Sequence, residues 1–422
     1  MAQIAILGTG YVGLCTAAGF SKIGHRVLCF DVVKSKIESL RMGKIPIFED
    51  GLEEIVSDGL SKGNLTFHLE IPEVIKDADF IFICVPTPQD KNGAADLSFV
   101  LEATKNVSPL LKKEAKLVVK STVPLGASEK IIENINRPDV HYVSNPEFLR
   151  EGTAIWDFFN PDRIVVGSKN PEAAKAVADL YSQPEVPVIS TTSSSAELIK
   201  YASNSFLAIK LSFINEIASI CENTGADIAD VAQGIGLDTR IGSKFLNPGP
   251  GWGGSCFPKD TRALLSASQE VGAPSELVTA AVSSNNKTFD RIVDRLRSKF
   301  PEGLEGTKLA VWGIAFKANT DDTRESPALE IVSRLTAAGA TVTVYDPIAV
   351  LPKNFGDVEQ VSTALLAVKD ADALIVLTEW PEFKELEASE FTSAMKRTLV
   401  FDTRRILNSS WETGSDLIVV GR

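Results

Sequence analysis

The sequence predicts an α/β protein built as two doubly wound parallel-sheet domains joined by a long central helix. Three observations carry that expectation. An apolar run at 3–7 leads into Gly8-Thr-Gly10-Tyr11-Val12-Gly13, then a helix-compatible stretch to Ile23 and a second apolar run at 27–30 that closes on Asp31. The same beat returns late in the chain, where 309–312 is followed by Gly313, a helical stretch at 327–338 and a strand-like run at 342–345 ending in Asp346. Between the two, residues 198–221 are apolar on almost every helical face, so such a helix has to be covered on several sides.

In chain order, the three glycines sit where a strand turns into a helix, with a carboxylate at the end of the next strand, which is the fingerprint of a Rossmann-like unit. Further short apolar runs at 80–85, 117–120, 141–144 and 163–167 read as strands with helices between them. Ser194 and Glu197 have the spacing of a capping box at the head of the central helix, and Gly225 suits its end. The late repeat is close in detail. Gly24 precedes Asp31 by seven residues, as Gly339 precedes Asp346, and Ala78-Asp79 stands before its strand as Ala371-Asp372 does. The expected division is 1–193 for a dinucleotide-binding domain, 194–300 for the central helical region and 301–422 for a second Rossmann-like domain.

Composition narrows the partners. Forty-three Lys and Arg against 55 Asp and Glu leave a net charge of −12, which disfavours nucleic acid and anionic membrane surfaces. Five cysteines, at 15, 29, 84, 221 and 256, make no close pairs, and the three histidines stand away from the motifs. A disulfide framework and a metal site are therefore not expected, and a reducing cytoplasm is. Gly8, Gly10, Gly13 and Gly19 interrupt the uncharged opening, and no basic segment precedes it, so it reads as a core element, not a leader or span.

The chemistry gathers in four places. Gly8, Gly10 and Gly13 offer backbone N–H groups to a diphosphate and Asp31 offers a carboxylate to a ribose, so the cofactor expected is NAD; Lys36 leaves an opening for a 2′-phosphate. Asn247-Pro-Gly-Pro-Gly251-Trp-Gly253-Gly254-Ser-Cys256-Phe-Pro258-Lys-Asp260 places a thiol beside a helix start, where a positive helix end favours the thiolate, with Asp260 one turn on. Lys200 and Asn204 share a helical face at i, i+4; the lysine is either ion-paired or aimed at developing oxyanion charge. Asn145-Pro-Glu147-Phe-Leu-Arg-Glu151 follows a strand end with two carboxylates, and Lys317 and Arg404 supply charge for a diphosphate in the second domain, where the triple glycine is missing.

Taken together, these motifs resemble the UDP-glucose and GDP-mannose dehydrogenase family over essentially the whole chain, and the runs at 234–246 and 256–260 look most like members acting on UDP-glucose. The resemblance implies a homodimer and a four-electron oxidation of the C6 alcohol of UDP-glucose to UDP-glucuronate with two NAD; the same chemistry on GDP-mannose or a UDP-N-acetyl-hexosamine is the alternative. It implies Cys256 as the nucleophile that carries thiohemiacetal and thioester, Lys200 and Asn204 as oxyanion donors, and Asp260, Glu147 and Thr122 as the groups that place water and move protons. Tyr11, Val12, Lys36, Thr87, Thr122, Glu151, Lys259 and Arg324 fall on the cofactor side. Glu147, Phe148, Leu149, Lys200, Asn204, Phe245, Leu246, Gly253, Phe257, Lys317 and Arg404 fall on the substrate side, and Arg240 matches an arginine that reaches the neighbouring subunit's substrate. Glu49-Asp50-Gly51-Leu52 departs from the family's usual Glu-Pro-Gly-Leu. A single-step dehydrogenase of the short-chain type is disfavoured, because none of the five tyrosines has a lysine four residues on.

Overall fold

The computed structural model describes residues 1–422 apart from 72, 90–92, 94 and 183–184. It divides into two compact units, one of Met1–Ser203 with Arg262–Ala273 and one of Asn204–Thr261 with Pro274–Arg422.

The first unit is built on β1 (Gln3–Leu7), β2 (Arg26–Phe30), β3 (Leu65–His68), β4 (Phe80–Ile83), β5 (Lys116–Val119), β6 (His141–Ser144), β7 (Ile164–Gly167) and β8 (Val188–Thr191). They form one sheet in the order β3-β2-β1-β4-β5-β6-β7-β8, parallel except where β6 meets β7 through Ser144 and Gly167. Alternate residues of β1 feed two cores: Ile4 and Ile6 pack with Leu14, Ala17, Ala18 and Phe20 of helix α1 (Tyr11–Ile23), while Ala5 and Leu7 pack with Ile81, Ile83 and Leu117. A strand covered on both faces has to be apolar throughout, as Gln3–Leu7 nearly is. The expected strands all form. Two more, β3 and β8, escaped the sequence reading, because β8 is largely exposed and β3 alternates polar residues with apolar ones.

The second unit repeats the plan with β9 (Lys308–Trp312), β10 (Thr341–Tyr345), β11 (Glu359–Gln360), β12 (Ala373–Val376), β13 (Leu399–Asp402) and β14 (Asp416–Val419), parallel in the order β11-β10-β9-β12-β13-β14. The internal repeat extends to single bonds. Asp79 accepts the Gln3 N–H at 3.2 Å and donates its own N–H to the Gln3 carbonyl at 2.9 Å; Asp372 does the same with Lys308 at 2.9 and 2.7 Å. Trp312, Phe383, Phe391 and Trp411 fill the core of this unit with ring contacts of 5.0–6.0 Å.

Four further helices matter to the site or its support: α2 (Ala127–Ile135), α3 (Ser193–Thr224), α4 (Phe257–Glu270) and α5 (Pro327–Ala337). The division between units falls inside α3. The capping box expected from Ser194 and Glu197 does not form. Thr192 Oγ1 accepts the Ser195 N–H at 3.2 Å, and the Glu197 carboxylate turns to α2, accepting the N–H groups of Gly126 and Ser128 at 2.8 and 3.1 Å. Helix α2 has no side-chain cap of its own, and its orphaned donors take the Glu197 carboxylate in place of the local partner. Among the described residues, no helix is long and apolar enough to cross a membrane.

Candidate active site

In the first sheet the strand order reverses between β1 and β4, and residues 8–10 turn the chain there into α1. Two of the three glycines are demanded by the protein itself. Gly8 has φ +94°, and a Cβ on it would meet the Cys84 carbonyl oxygen at 2.6 Å; a Cβ on Gly13 would lie 1.9 Å from the Gly8 oxygen. Gly10 is different. Its φ of −71° suits any residue, and a Cβ there meets nothing within 4 Å. The α1 N-terminus has no side-chain cap either, so bare backbone and unspent N–H groups fit the close approach of a diphosphate.

Asp31 stands at the end of β2, its Oδ2 accepting from Thr9 N and Oγ1 at 2.9 and 2.8 Å and its Oδ1 from Val33 N at 3.0 Å. Burial pushes its pKa up, but the Lys36 contact and these donors outweigh that and hold it below the usual carboxylate range. The anion this leaves suits ribose hydroxyls and repels a 2′-phosphate. Lys36, the residue that left NADP open, is turned onto Asp31 at 2.7 Å. Tyr11 brings a contact the sequence did not suggest. Its hydroxyl bonds Glu49 and accepts the Gly152 N–H, and Glu49 also accepts the Gly152 and Ile155 N–H groups at 2.8 and 3.2 Å. Val12 is half-buried beside it. Thr87 is buried and donates to the Thr122 carbonyl at 2.8 Å, linking the loops after β4 and β5.

Lys200 and Glu147 form a buried ion pair at 2.8 Å, with exposures of 4% and 7%. Leu149 N–H donates to the other Glu147 oxygen at 2.6 Å. Burial alone would raise the Glu147 pKa; the charge and hydrogen bond of Lys200, the Leu149 amide and the more distant charge of Lys120 together bring it below the usual value. Glu147 is therefore a carboxylate at neutral pH, and the stability its pairing contributes is complete above the ordinary carboxylate pKa and lost as pH falls through the lowered one. The Phe148 ring lies under the Arg163 guanidinium at 3.8 Å with Lys200 Nζ at 5.4 Å, and Glu151 is buried nearby in sequence.

In the second unit, Cys256 directly precedes α4, Pro258 falls in its first turn, and Asp260 N–H donates to the Cys256 carbonyl at 2.8 Å. Cys256 is the one partly exposed thiol of the five. Burial pushes the Cys15 and Cys29 thiols well up and Cys84 to about 12. Asp260 is 1% exposed and accepts from Asn204 Nδ2 at 2.6 Å on one oxygen while Lys259 Nζ sits 2.9 Å from the other. Asn204, expected on the catalytic side, and Lys259, expected on the cofactor side, thus meet at Asp260, four residues beyond the thiol.

The four glycines between 249 and 254 approach protein. A Cβ on Gly251 (φ +117°) would strike Phe289 at 2.6 Å, one on Gly253 the Glu325 carbonyl at 1.9 Å, and one on Gly254 (φ +83°) the Phe316 ring at 2.7 Å. Arg404 donates to the Leu377 carbonyl at 2.9 Å and pairs Glu379 at 3.1 Å, and Lys317 Nζ lies 5.5 Å from the centre of the Phe316 ring. Arg324 pairs Asp322 and Arg240 pairs Asp238, each at 2.6 Å; the Arg240 side chain is 87% exposed. Phe245 holds φ +63° and faces Phe257 with ring centres 6.4 Å apart, while Leu246 is buried in the core of this unit.

Three stretches match one family in order: residues 2–185 its NAD binding domain, 194–287 its central domain and 310–409 its UDP binding domain. The UDP-glucose 6-dehydrogenase TuaD of Bacillus subtilis is 45% identical over 417 residues, 97% of this chain and 90% of that protein. A UDP-glucose 6-dehydrogenase of Rhizobium meliloti is 43% identical over 416 residues, 96% of this chain and 95% of that one. Among solved structures, a UDP-glucose dehydrogenase from the hyperthermophilic archaeon Pyrobaculum islandicum is similar with a TM-score of 0.89 at 36% identity, covering 99% of this chain and 96% of that one. The chain belongs to the UDP-glucose/GDP-mannose dehydrogenase family, NAD-dependent oxidoreductases acting on nucleotide sugars.

Proposed function

We propose that this chain oxidises the C6 alcohol of UDP-glucose to the carboxylate of UDP-glucuronate, consuming two NAD per turnover. The observation that carries the reading is Cys256, the one partly exposed thiol, seated at the head of α4 with Asp260 and Asn204 paired one turn below. A single oxidation needs no thiol; a second one does, because the aldehyde has to stay on the enzyme while spent cofactor is exchanged. NAD held at Gly8, Gly10 and Gly13 supplies the hydride acceptor for both oxidations. Cys256 sulfur adds to the aldehyde carbon and the carbonyl oxygen takes a proton, giving a thiohemiacetal; loss of hydride and proton leaves a thioester; water then displaces the sulfur, giving the acid and restoring the thiol. Asn204 and Lys200, one turn apart on α3, are the donors for the oxyanions. Asp260, Glu147 and Thr122 place water and move protons.

In this reading residues 1–193 serve the cofactor, with Tyr11, Val12, Asp31, Lys36, Thr87 and Glu151 from that part and Lys259 and Arg324 from beyond it. Residues 194–300 carry the nucleophile and the dimer face, and 301–422 hold the nucleotide sugar through Lys317 and Arg404, with Phe245, Leu246, Gly253 and Phe257 from the central part. A homodimer is supported by Phe206, Phe213 and Ile220, exposed at intervals of seven on α3, a spacing that keeps an apolar stripe on one helix face. Exposed Arg240 is free of burial in its own chain and suits a neighbour's substrate. A reducing cytoplasm is the compartment that keeps Cys256 a thiol. Incubation with UDP-glucose and excess NAD tests the whole: two NADH per UDP-glucuronate are expected, and Cys256→Ser stops before the acid. One NADH per substrate removes the four-electron reading, and faster turnover of GDP-mannose or a UDP-N-acetyl-hexosamine removes glucose as the sugar.

A further inference from the structure

Lys120 directly follows β5 at the carboxyl edge of the first sheet and is 4% exposed, yet it meets no carboxylate at ion-pair distance among the described residues. Its Nζ donates to the Tyr181 hydroxyl at 2.9 Å and to Asn145 Oδ1 at 3.3 Å, and it lies 5.5 Å from the centre of the Tyr181 ring. The three side chains close a ring of bonds, because Tyr181 OH donates to Asn145 Oδ1 at 2.6 Å, while Asn145 Nδ2 donates to the Val165 carbonyl at 2.8 Å. Every partner is neutral. A buried ammonium of this kind is costly, and an apolar residue of the same length would stabilise the interior better. Asn145 is two residues before Glu147, and both belong to the segment that follows β6.

We propose that Lys120 is a positioning residue for the oxidation chemistry: through Asn145 it fixes the Asn145–Glu147 segment, and it brings a second buried positive charge, besides that of Lys200, to bear on Glu147. The inference rests on the role given above to Glu147. The titratable groups that act on Glu147 are Lys200 from α3, Lys120 just after β5, Cys15 from α1 and Cys84 just after β4; of these, only the two lysines favour its anion, together with the Leu149 amide. Lys120 lowers the Glu147 pKa, so its removal raises it, and the acid side of Glu147-dependent behaviour moves to higher pH.

The test is a titration that needs no turnover. The side-chain carboxyl ¹³C signal of Glu147, assigned by its loss in Glu147→Gln, is followed against pH in the wild type, in Lys120→Met and in Tyr181→Phe. Lys120→Met is expected to raise the midpoint, whereas Tyr181→Phe, which keeps the charge, leaves it in place. Lys120→Gln, which retains donors for Asn145 and Tyr181, carries the same expectation if Lys120→Met does not fold. An unchanged midpoint in the lysine variants, or an equal rise in Tyr181→Phe, overturns the proposal. With UDP-glucose and NAD, the acid limb of kcat should move with the midpoint while KM for NAD stays. A shifted titration in a protein that makes no NADH from UDP-glucose leaves Lys120's effect intact and condemns the substrate assignment instead.

Discussion

β1 and β9 are each followed by a glycine at positive φ, Gly8 at +94° and Gly313 at +88°, and β2 and β10 are each followed directly by an aspartate. The two aspartates do different work. Asp31 shares its oxygens with Thr9, Val33 and Lys36 at the edge of an uncapped helix. Asp346 is buried, and its two oxygens are taken by the N–H groups of Ile314, Ala315, Ile348 and Ala349 and by Trp380 Nε1, at 2.7–3.2 Å. Behind this lies the connection. In the first unit α1 starts at Tyr11; in the second, residues 314–326 intervene and α5 starts at Pro327, capped by Ser326 Oγ, which accepts from Ala328 N at 3.2 Å. The first unit therefore offers an anion main-chain N–H groups and a helix dipole; the second has spent both on itself, and in the function proposed above phosphate there falls to Lys317 and Arg404. In that reading one sheet plan serves two ways of holding phosphate, and the loop after the first strand decides which.

The comparison breaks most sharply at Asp346. Asp346→Asn sets an NH₂ group against N–H donors in a buried clamp and should cost about 2–4 kcal/mol, read as a fall in the chemical-denaturation midpoint, with NAD affinity kept. The glycine pair comes next. Gly13→Ala should destabilise by about 1–3 kcal/mol because its Cβ collides with backbone, whereas Gly10→Ala should keep the melting temperature and weaken NAD at least about 10-fold by calorimetric titration. If Gly10→Ala binds as the wild type does, the first unit does not use bare backbone as described. Asp31→Asn should weaken NAD by about 1–1.5 kcal/mol through its ribose contact. Because the Asp31 pKa is lowered, wild-type NAD binding should persist below the ordinary carboxylate pKa and fade only as pH drops through the lowered value. Smallest is Ser326→Ala, about 1 kcal/mol of stability from a lost cap with nucleotide-sugar affinity little changed.

The duplicated fold was legible because it rests on local punctuation. Gly24 and Gly339 close helices in the left-handed region, at φ +106° and +87°, and Asp79 and Asp372 tie strands through bonds to the nearest neighbouring strand, so spacing alone carried the signal. Cys256 was legible for a similar reason, as Pro258 marks the helix start beside it. What stayed hidden depends on distant partners. The i, i+3 spacing of Ser194 and Glu197 could not reveal that α2 lacked a cap. The glycines before Cys256 announced a close approach without saying that Phe316, Glu325 and Phe289 make it. Tyr11 meets Glu49, and Lys120 meets Tyr181, across separations that no periodicity encodes.

The fastening of Glu197 to Gly126 and Ser128 also fixes the rotational phase of α3. Each residue turns a helix by about 100° and advances it about 1.5 Å. With Glu197 pinned, Lys200 comes round to meet Glu147. A single residue inserted between 197 and 200 would leave every side chain of the rod present and swing Lys200 away from its carboxylate. In its first two turns, then, α3 cannot tolerate a change of length even where every residue is kept.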